Sequence, residues 1–205
     1  MSIGILGIKV GMTQIFNKEG LAYPATIIQA GPCTVTQIKT IKHHGYNAIQ
    51  IGYWRVHTTC LTKAQLGHLN KVNTTALRYL AEYRVKSTEE FQLGNLVTAQ
   101  DFKIGQSVHI SGKKIGKGFS GCQKRHNFCR GPMSHGSKNH RQPGSIGPGT
   151  TPGRVFPGKR MAGRSRSIMS TIKNLQIIDI NCSQNLIVIK GAVPGAKGSL
   201  LNIKI

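Results

Sequence analysis

The chain has 205 residues and a formal charge of +22, from 28 Lys and Arg against 6 Asp and Glu. That length suffices for one hydrophobic core with an appendage, and so one-sided a charge specifies partners rather than fold, polyanions above all. No apolar run approaches the ~18 residues of a helical membrane span, and neither a basic amphipathic helix nor an apolar anchor marks it for a bilayer surface. The acids are Glu19, Glu82, Glu89, Glu90, Asp101 and Asp179, so the span from Phe102 to Ile178 has none. With no nucleophile motif, no metal box and so few groups for acid–base work, the sequence excludes an enzyme.

Ile3 to Phe16 mixes β-branched residues with Gly4, Gly7 and Gly11, which predicts a bent or bulged strand. Asn17-Lys-Glu-Gly20 is a turn, and strands are predicted at Tyr23–Ala30, Cys33–Lys39 and Tyr46–Tyr53, separated at Gly31-Pro32 and His43-His44-Gly45. Thr62 and Thr74 as N-caps, with Leu66, Leu69, Leu77 and Leu80 at helical offsets, predict one or two short helices. Strand character returns at Tyr83–Lys86 and Ser107–Ser111, and after residue 167 at Leu175–Ile180, Leu186–Lys190 and Leu200–Ile205, with Ile178 taken as a core position. The fold class is α+β, mainly β: an antiparallel barrel body of residues 1–111 and 168–205, with a long irregular extension inserted. Met1 leads straight into strand-like sequence, so no targeting presequence is expected.

Residues 112–167 contain thirteen Lys or Arg and three His. Apolar residues there (Ile115, Phe119, Phe128, Met133, Ile146, Val155, Phe156 and Met161) follow neither a period of 3.6 nor one of 2. Burial cannot offset an ordering entropy of about 1–2 kcal/mol per residue, and like charges repel. Alone in water this segment is expected to be disordered and to take its shape from a polyanion. Its candidate RNA-binding residues are Lys113, Lys114, Lys117, Lys124, Arg125, His126, Arg130, His135, Lys138, His140, Arg141, Arg154, Lys159, Arg160, Arg164 and Arg166. Lys and Arg suit phosphates, Arg adds bidentate bonding and stacking, and His can stack or bond a 2′-hydroxyl.

Other readings are weaker. Cys122 and Cys129 with His135 and His140 have zinc-ligand chemistry, but a Cys-x6-Cys spacing does not place two thiolates on one turn, so no metal is assigned. Gly116-Lys-Gly-Phe-Ser-Gly121 matches a dinucleotide fingerprint in form only, because no apolar helix follows. Five scattered cysteines favour reduced thiols. Tyr53 and Trp54 read as core or barrel rim rather than as base-stacking groups.

Particular motifs identify a family: Gly7-Ile-Lys-Val-Gly-Met-Thr13, Gly45-Tyr-Asn-Ala-Ile-Gln50, Gly116-Lys-Gly-Phe119, Ser134-His-Gly-Ser137, His140-Arg-Gln-Pro-Gly-Ser-Ile-Gly147, Thr151-Pro-Gly-Arg-Val-Phe156, Gly158-Lys-Arg-Met-Ala-Gly163 and Lys190-Gly-Ala-Val-Pro-Gly195. In these, along its whole length, the chain resembles the ribosomal large-subunit protein L-three family. The resemblance implies a barrel body whose extension threads into large-subunit ribosomal RNA. The tip (Ser145, Ile146, Gly147, Pro148, Gly149, Thr150, Thr151 and Pro152) is then expected near the peptidyl transferase centre. It also implies early assembly near the 3′ end of that RNA, neighbouring ribosomal proteins as further partners, and no membrane or small-molecule partner. No cofactor is implied beyond structural magnesium shared with the RNA. The opening residues and Tyr46-Asn-Ala-Ile-Gln-Ile-Gly resemble cyanobacterial and plastid members, which implies the plastid stroma, with the bacterial cytoplasm as the alternative. A free-standing basic RNA-binding or chaperone protein is the competing function.

Overall fold

The computed structural model describes residues 4–205, so the predicted strand start at Ile3 lies outside the described residues. The strands among them are β1 (Ile5–Phe16), β2 (Ala22–Ala30), β3 (Cys33–Lys39), β4 (Ala48–Arg55), β5 (Leu77–Arg84), β6 (Leu96–Val97), β7 (Ser107–Lys113), β8 (Gly118–Ser120), β9 (Gly163–Ser165), β10 (Met169–Asn181), β11 (Leu186–Lys190) and β12 (Leu200–Lys204). Helix is confined to α1 (Ile41–His44), α2 (Lys63–Asn70), α3 (Cys122–His126) and two 3-10 turns. The mainly β reading holds. The chain divides into two compact units, a body ending at Lys114 and resuming over Met169–Ile205, and an arm of Ile115–Ile168.

In the body, β1-β12-β7-β10-β11-β2 close an antiparallel barrel. Its lining alternates as a half-buried strand requires: Val108 and Ile110 on β7, Ile187 and Ile189 on β11, Leu201 and Ile203 on β12 are all fully buried. Each such side chain stabilises the ring by about 1.5–3 kcal/mol. Gly112 pairs with Leu201, and a Cβ there would lie 2.7 Å from Leu201 Cδ2, so any side chain at 112 would force the inward Leu201 to shift. The barrel uses strands from both flanks of the arm, with Lys113 paired to Met169 and Gly112 to Ser170. Both ends of the arm are therefore fixed at neighbouring ladder positions.

The strands predicted after β2 do not continue the ring. At Gly31, with φ +75°, the chain turns out of it, and β5-β4-β3-β6 form a second sheet. Tyr53 Oη donates to Gln29 O (3.1 Å) and Tyr83 Oη to Asn202 Oδ1 (2.8 Å), joining that sheet to barrel strands. One hydrophobic cluster, from Ile5 and Ile28 to Ile49 and Tyr83, serves both.

Several local expectations are corrected. Thr62 does cap α2: its Oγ1 accepts Gln65 N–H at 3.4 Å, and Gln65 Oε1 accepts Thr62 N–H at 3.1 Å. Thr74 caps nothing; its hydroxyl donates to Leu69 O at 3.2 Å, and the sequence beyond enters β5. Leu77, Tyr79, Ala81 and Tyr83 point inward there with a period of 2, and pairing with β4 outweighs the helical spacing of Leu77 and Leu80. Ile178 is only half-buried, because β10 bulges between Ile177 and Asp179 and leaves Ile177 as the inward residue. Tyr53 is core, but Trp54 stands 42% exposed with φ +68° at the end of β4, outside the barrel.

Candidate nucleic-acid interface

The arm contains short regular elements at its base, although its apolar residues follow no period. Gly118, Phe119 and Ser120 on β8 pair with Ser165, Arg164 and Gly163 on β9, and Lys117 N–H donates to Ser165 O at 3.1 Å. α3 follows at once and ends at Asn127, whose φ of +58° stops the helix. Arg125 Nη1 donates to Met161 O at 2.7 Å, and His126 Nε2 lies 3.0 Å from the same oxygen. Two of the predicted RNA contacts thus first clamp the returning chain. A Cβ at Gly163 would lie 2.5 Å from Arg125 Nη1, so a side chain there would displace the guanidinium from this position. Ser120 and Cys122 are the buried residues of this unit among those described. Backbone bonds, not a core, define it.

Further out, Gly131 N–H donates to His140 O at 3.1 Å, and His140 Nδ1 lies 2.9 Å from Pro132 O. A carbonyl only accepts, so Nδ1 carries the proton. The loop these contacts close contains Ser134-His-Gly-Ser137, a turn in which His135 (φ +57°) and Gly136 (φ +71°) are left-handed. Residues 141–162 are exposed throughout, including the tip from Ser145 to Pro152, where Gly147 N–H donates to Ser145 Oγ at 3.4 Å. The Arg154 guanidinium sits over the Phe156 ring, 5.5 Å from its centre.

All thirteen predicted cations are exposed. Of these, Lys113, on β7, and Lys114 fall in the body unit and the other eleven in the unit Ile115–Ile168. Lys117, Arg164 and Arg166 gather about the β8–β9 pair, and Lys124, Arg125 and His126 ride on α3. Arg130, Lys138, Arg141, Arg154, Lys159 and Arg160 are spread along exposed chain. No carboxylate between Phe102 and Ile178 neutralises them; the ion pair formed among the described residues, Lys39 to Glu82 at 2.5 Å, is in the body. Charge of one sign crowded on so little folded structure calls for an anionic partner.

Phe119, 78% exposed, and Phe156, 56% exposed, are apolar residues without a period in the sequence, where the aromatics of this segment as a group suit base faces but neither ring is singled out as a site residue. Their real signal was chemical: aromatic rings interleaved with arginines in a segment that has no core to receive them.

A barrel with an internal, acid-free arm of exposed cations is the class of protein that this geometry defines. A family model described as Ribosomal protein L3 matches residues 70–185. The chain is 59% identical over 203 residues to the large ribosomal subunit protein uL3c of Gracilaria tenuistipitata var. liui, covering 99% of both chains. It is 59% identical over 203 residues to uL3 of Synechococcus elongatus, covering 99% of this chain and 95% of that one. With uL3c of Phaeodactylum tricornutum it shares 56% over 203 residues, covering 99% and 98%. The chain belongs to the ribosomal protein L3 family.

Proposed function

We propose that this protein is a structural constituent of the large ribosomal subunit, without catalytic groups of its own, and that it binds large-subunit ribosomal RNA through residues 112–167. The observation that carries this reading is the exposure of thirteen cations in a stretch devoid of acids. The phosphate backbone supplies the missing countercharge, and arginines add directed hydrogen bonds. The family's large-subunit relatives support the same reading.

Binding occurs early in assembly near the 3′ end of that RNA, and the tip, Ser145 to Pro152, is directed toward the peptidyl transferase centre, where it supports geometry rather than chemistry. Structural magnesium is shared with the RNA, and other large-subunit proteins are neighbours. The plastid ribosome is the assembly we assign, a choice favoured by the uL3c relatives.

Sedimentation of a lysate at moderate salt tests this. The protein should co-migrate stoichiometrically with large subunits. A protein found instead at the top of the gradient, or on RNA of every size, would be a free-standing RNA-binding or chaperone protein.

A further inference from the structure

The most exposed large apolar residue among the described residues, Phe119 at 78%, lies on the two-stranded ladder at the base of the arm. Antiparallel pairing sets it opposite Arg164, so ring and guanidinium share one face, about 5 Å apart at Cβ. Its neighbour Gly118 would meet nothing within 4 Å if it carried a Cβ, so the ladder is also open at that position. Along the same ladder runs a cleft of about 360 Å³ lined by Gly116, Gly118, Arg164, Ser165, Arg166 and Ser167.

These features fit together as a nucleotide site. An aromatic ring on a strand, flat and unobstructed, is how β-structure stacks an unpaired base, whatever its identity. A cleft with two guanidiniums, two hydroxyl residues and glycine backbone at its rim suits the phosphate and ribose of the same nucleotide. The occupant is anionic, because Lys117, Arg164 and Arg166 surround the ladder and no acid lies between Phe102 and Ile178. Duplex RNA cannot use the ring, since its bases are already stacked. From this we propose that Phe119 and the adjoining cleft form a site for one unpaired nucleotide of single-stranded RNA, with the base on Phe119 and the phosphate against Arg164 and Arg166. The proposal rests on the RNA-binding reading and goes beyond it by naming a base-stacking position outside the tip.

The test uses the full-length protein, a single-stranded RNA hexanucleotide and a blunt RNA duplex, with affinities measured in one salt. Phe119→Ala should weaken hexanucleotide binding by about five- to hundred-fold while duplex binding holds, and Phe119→Tyr should restore it. Arg164→Ala/Arg166→Ala should weaken both, the hexanucleotide more. If Phe119→Ala left both affinities unchanged, or lowered both equally, the stacking site would be refuted while RNA binding stood. A wild-type protein that bound neither RNA would overturn the RNA-binding reading itself. If only association with another ribosomal protein were lost, Phe119 would be a protein contact and the proposal wrong.

Discussion

Lys9 Nζ donates to the carbonyl of Val193 at 3.0 Å and to that of Gly195 at 2.9 Å, across more than 180 residues of chain. The two backbones are joined as well, by Lys9 N–H to Ser199 O (3.1 Å) and Gly198 N–H to Lys9 O (2.8 Å). Lys9 is only 9% exposed, and a buried ammonium is tolerable only where carbonyls replace its water. One lysine from β1 thereby holds the turn between β11 and β12. Lys9→Met keeps the stem but leaves two carbonyls without their donor, so it should cost about 1–3 kcal/mol. Thermal unfolding of the two proteins measures this, and an unchanged midpoint would show that water replaces the ammonium at no loss.

The bulge in β10 makes neighbouring isoleucines unequal. Ile177 is 1% exposed inside the barrel, whereas Ile178 is half-buried. Ile177→Ala should cost about 2–5 kcal/mol and Ile178→Ala under about half of that. Denaturant titration distinguishes them, and equal losses would place the bulge elsewhere.

Ile178 also shows what the sequence could and could not convey. Alternation marks Leu175–Ile180 as a strand, but a bulge shifts the phase by one residue, and nothing in a run of β-branched residues announces where. Leu77 and Leu80 failed for a related reason: an accidental spacing of 3 lay over the true alternation of Leu77, Tyr79, Ala81 and Tyr83. The turn chemistry at Thr62 was legible because a capping box is local, whereas the departure of β3 and β4 from the ring depends on long-range pairing. In the arm, the cations could be read off directly, but not the hydrogen bonds of Arg125 and His126 to Met161, which join residues 35 or 36 positions apart. Exposure of Phe119 was likewise invisible until the β8–β9 pair fixed its face.

The cysteines report on arm order. Burial pushes the Cys33 thiol up to about 12, against a weaker opposing bond to Leu6 O, so it should resist alkylation near pH 8 on both chemical and steric grounds. Cys60, Cys129 and Cys182 are exposed and should react. Cys122 is buried, but by three-residue strands and a five-residue helix, which are too short to persist alone in water. Mass spectrometry after labelling should find Cys122 modified in the free protein and protected once large-subunit RNA is added. Protection of Cys122 without RNA would mean that the base of the arm folds unaided.

Glu82 accepts from Lys39 Nζ at 2.5 Å and Tyr46 Oη at 2.9 Å. Lys39, then Tyr46, hold its carboxyl below the usual range against a partial desolvation, and the same contacts raise Lys39. A carboxyl whose folded pKa is lowered adds stability in full above its ordinary value and loses it as pH falls through the lowered one. A raised lysine does so below its ordinary value and loses it as pH rises through the raised one. Glu82→Gln should therefore lower the melting temperature slightly between about pH 5 and 10, as exposed pairs do, with the gap closing in acid. Melting curves across that range check it; a constant gap at low pH would assign the loss to packing.

RNA affinity should fall steeply with salt. If the arm neutralises about ten phosphates, log affinity against log salt has a slope on the order of −7 to −9, according to the form of the RNA. Arg154 and Arg160 are exposed on the returning part of the arm, between the tip and β9. Arg154→Ala/Arg160→Ala should reduce the slope by about 1.5, because each removed contact releases fewer counterions. The body should be untouched, so its melting temperature is the control. In cells the same double variant should enter large subunits poorly or leave them less active. Normal incorporation into fully active subunits, with an unaltered salt slope, would remove these arginines from the interface and leave the remaining cations to account for binding.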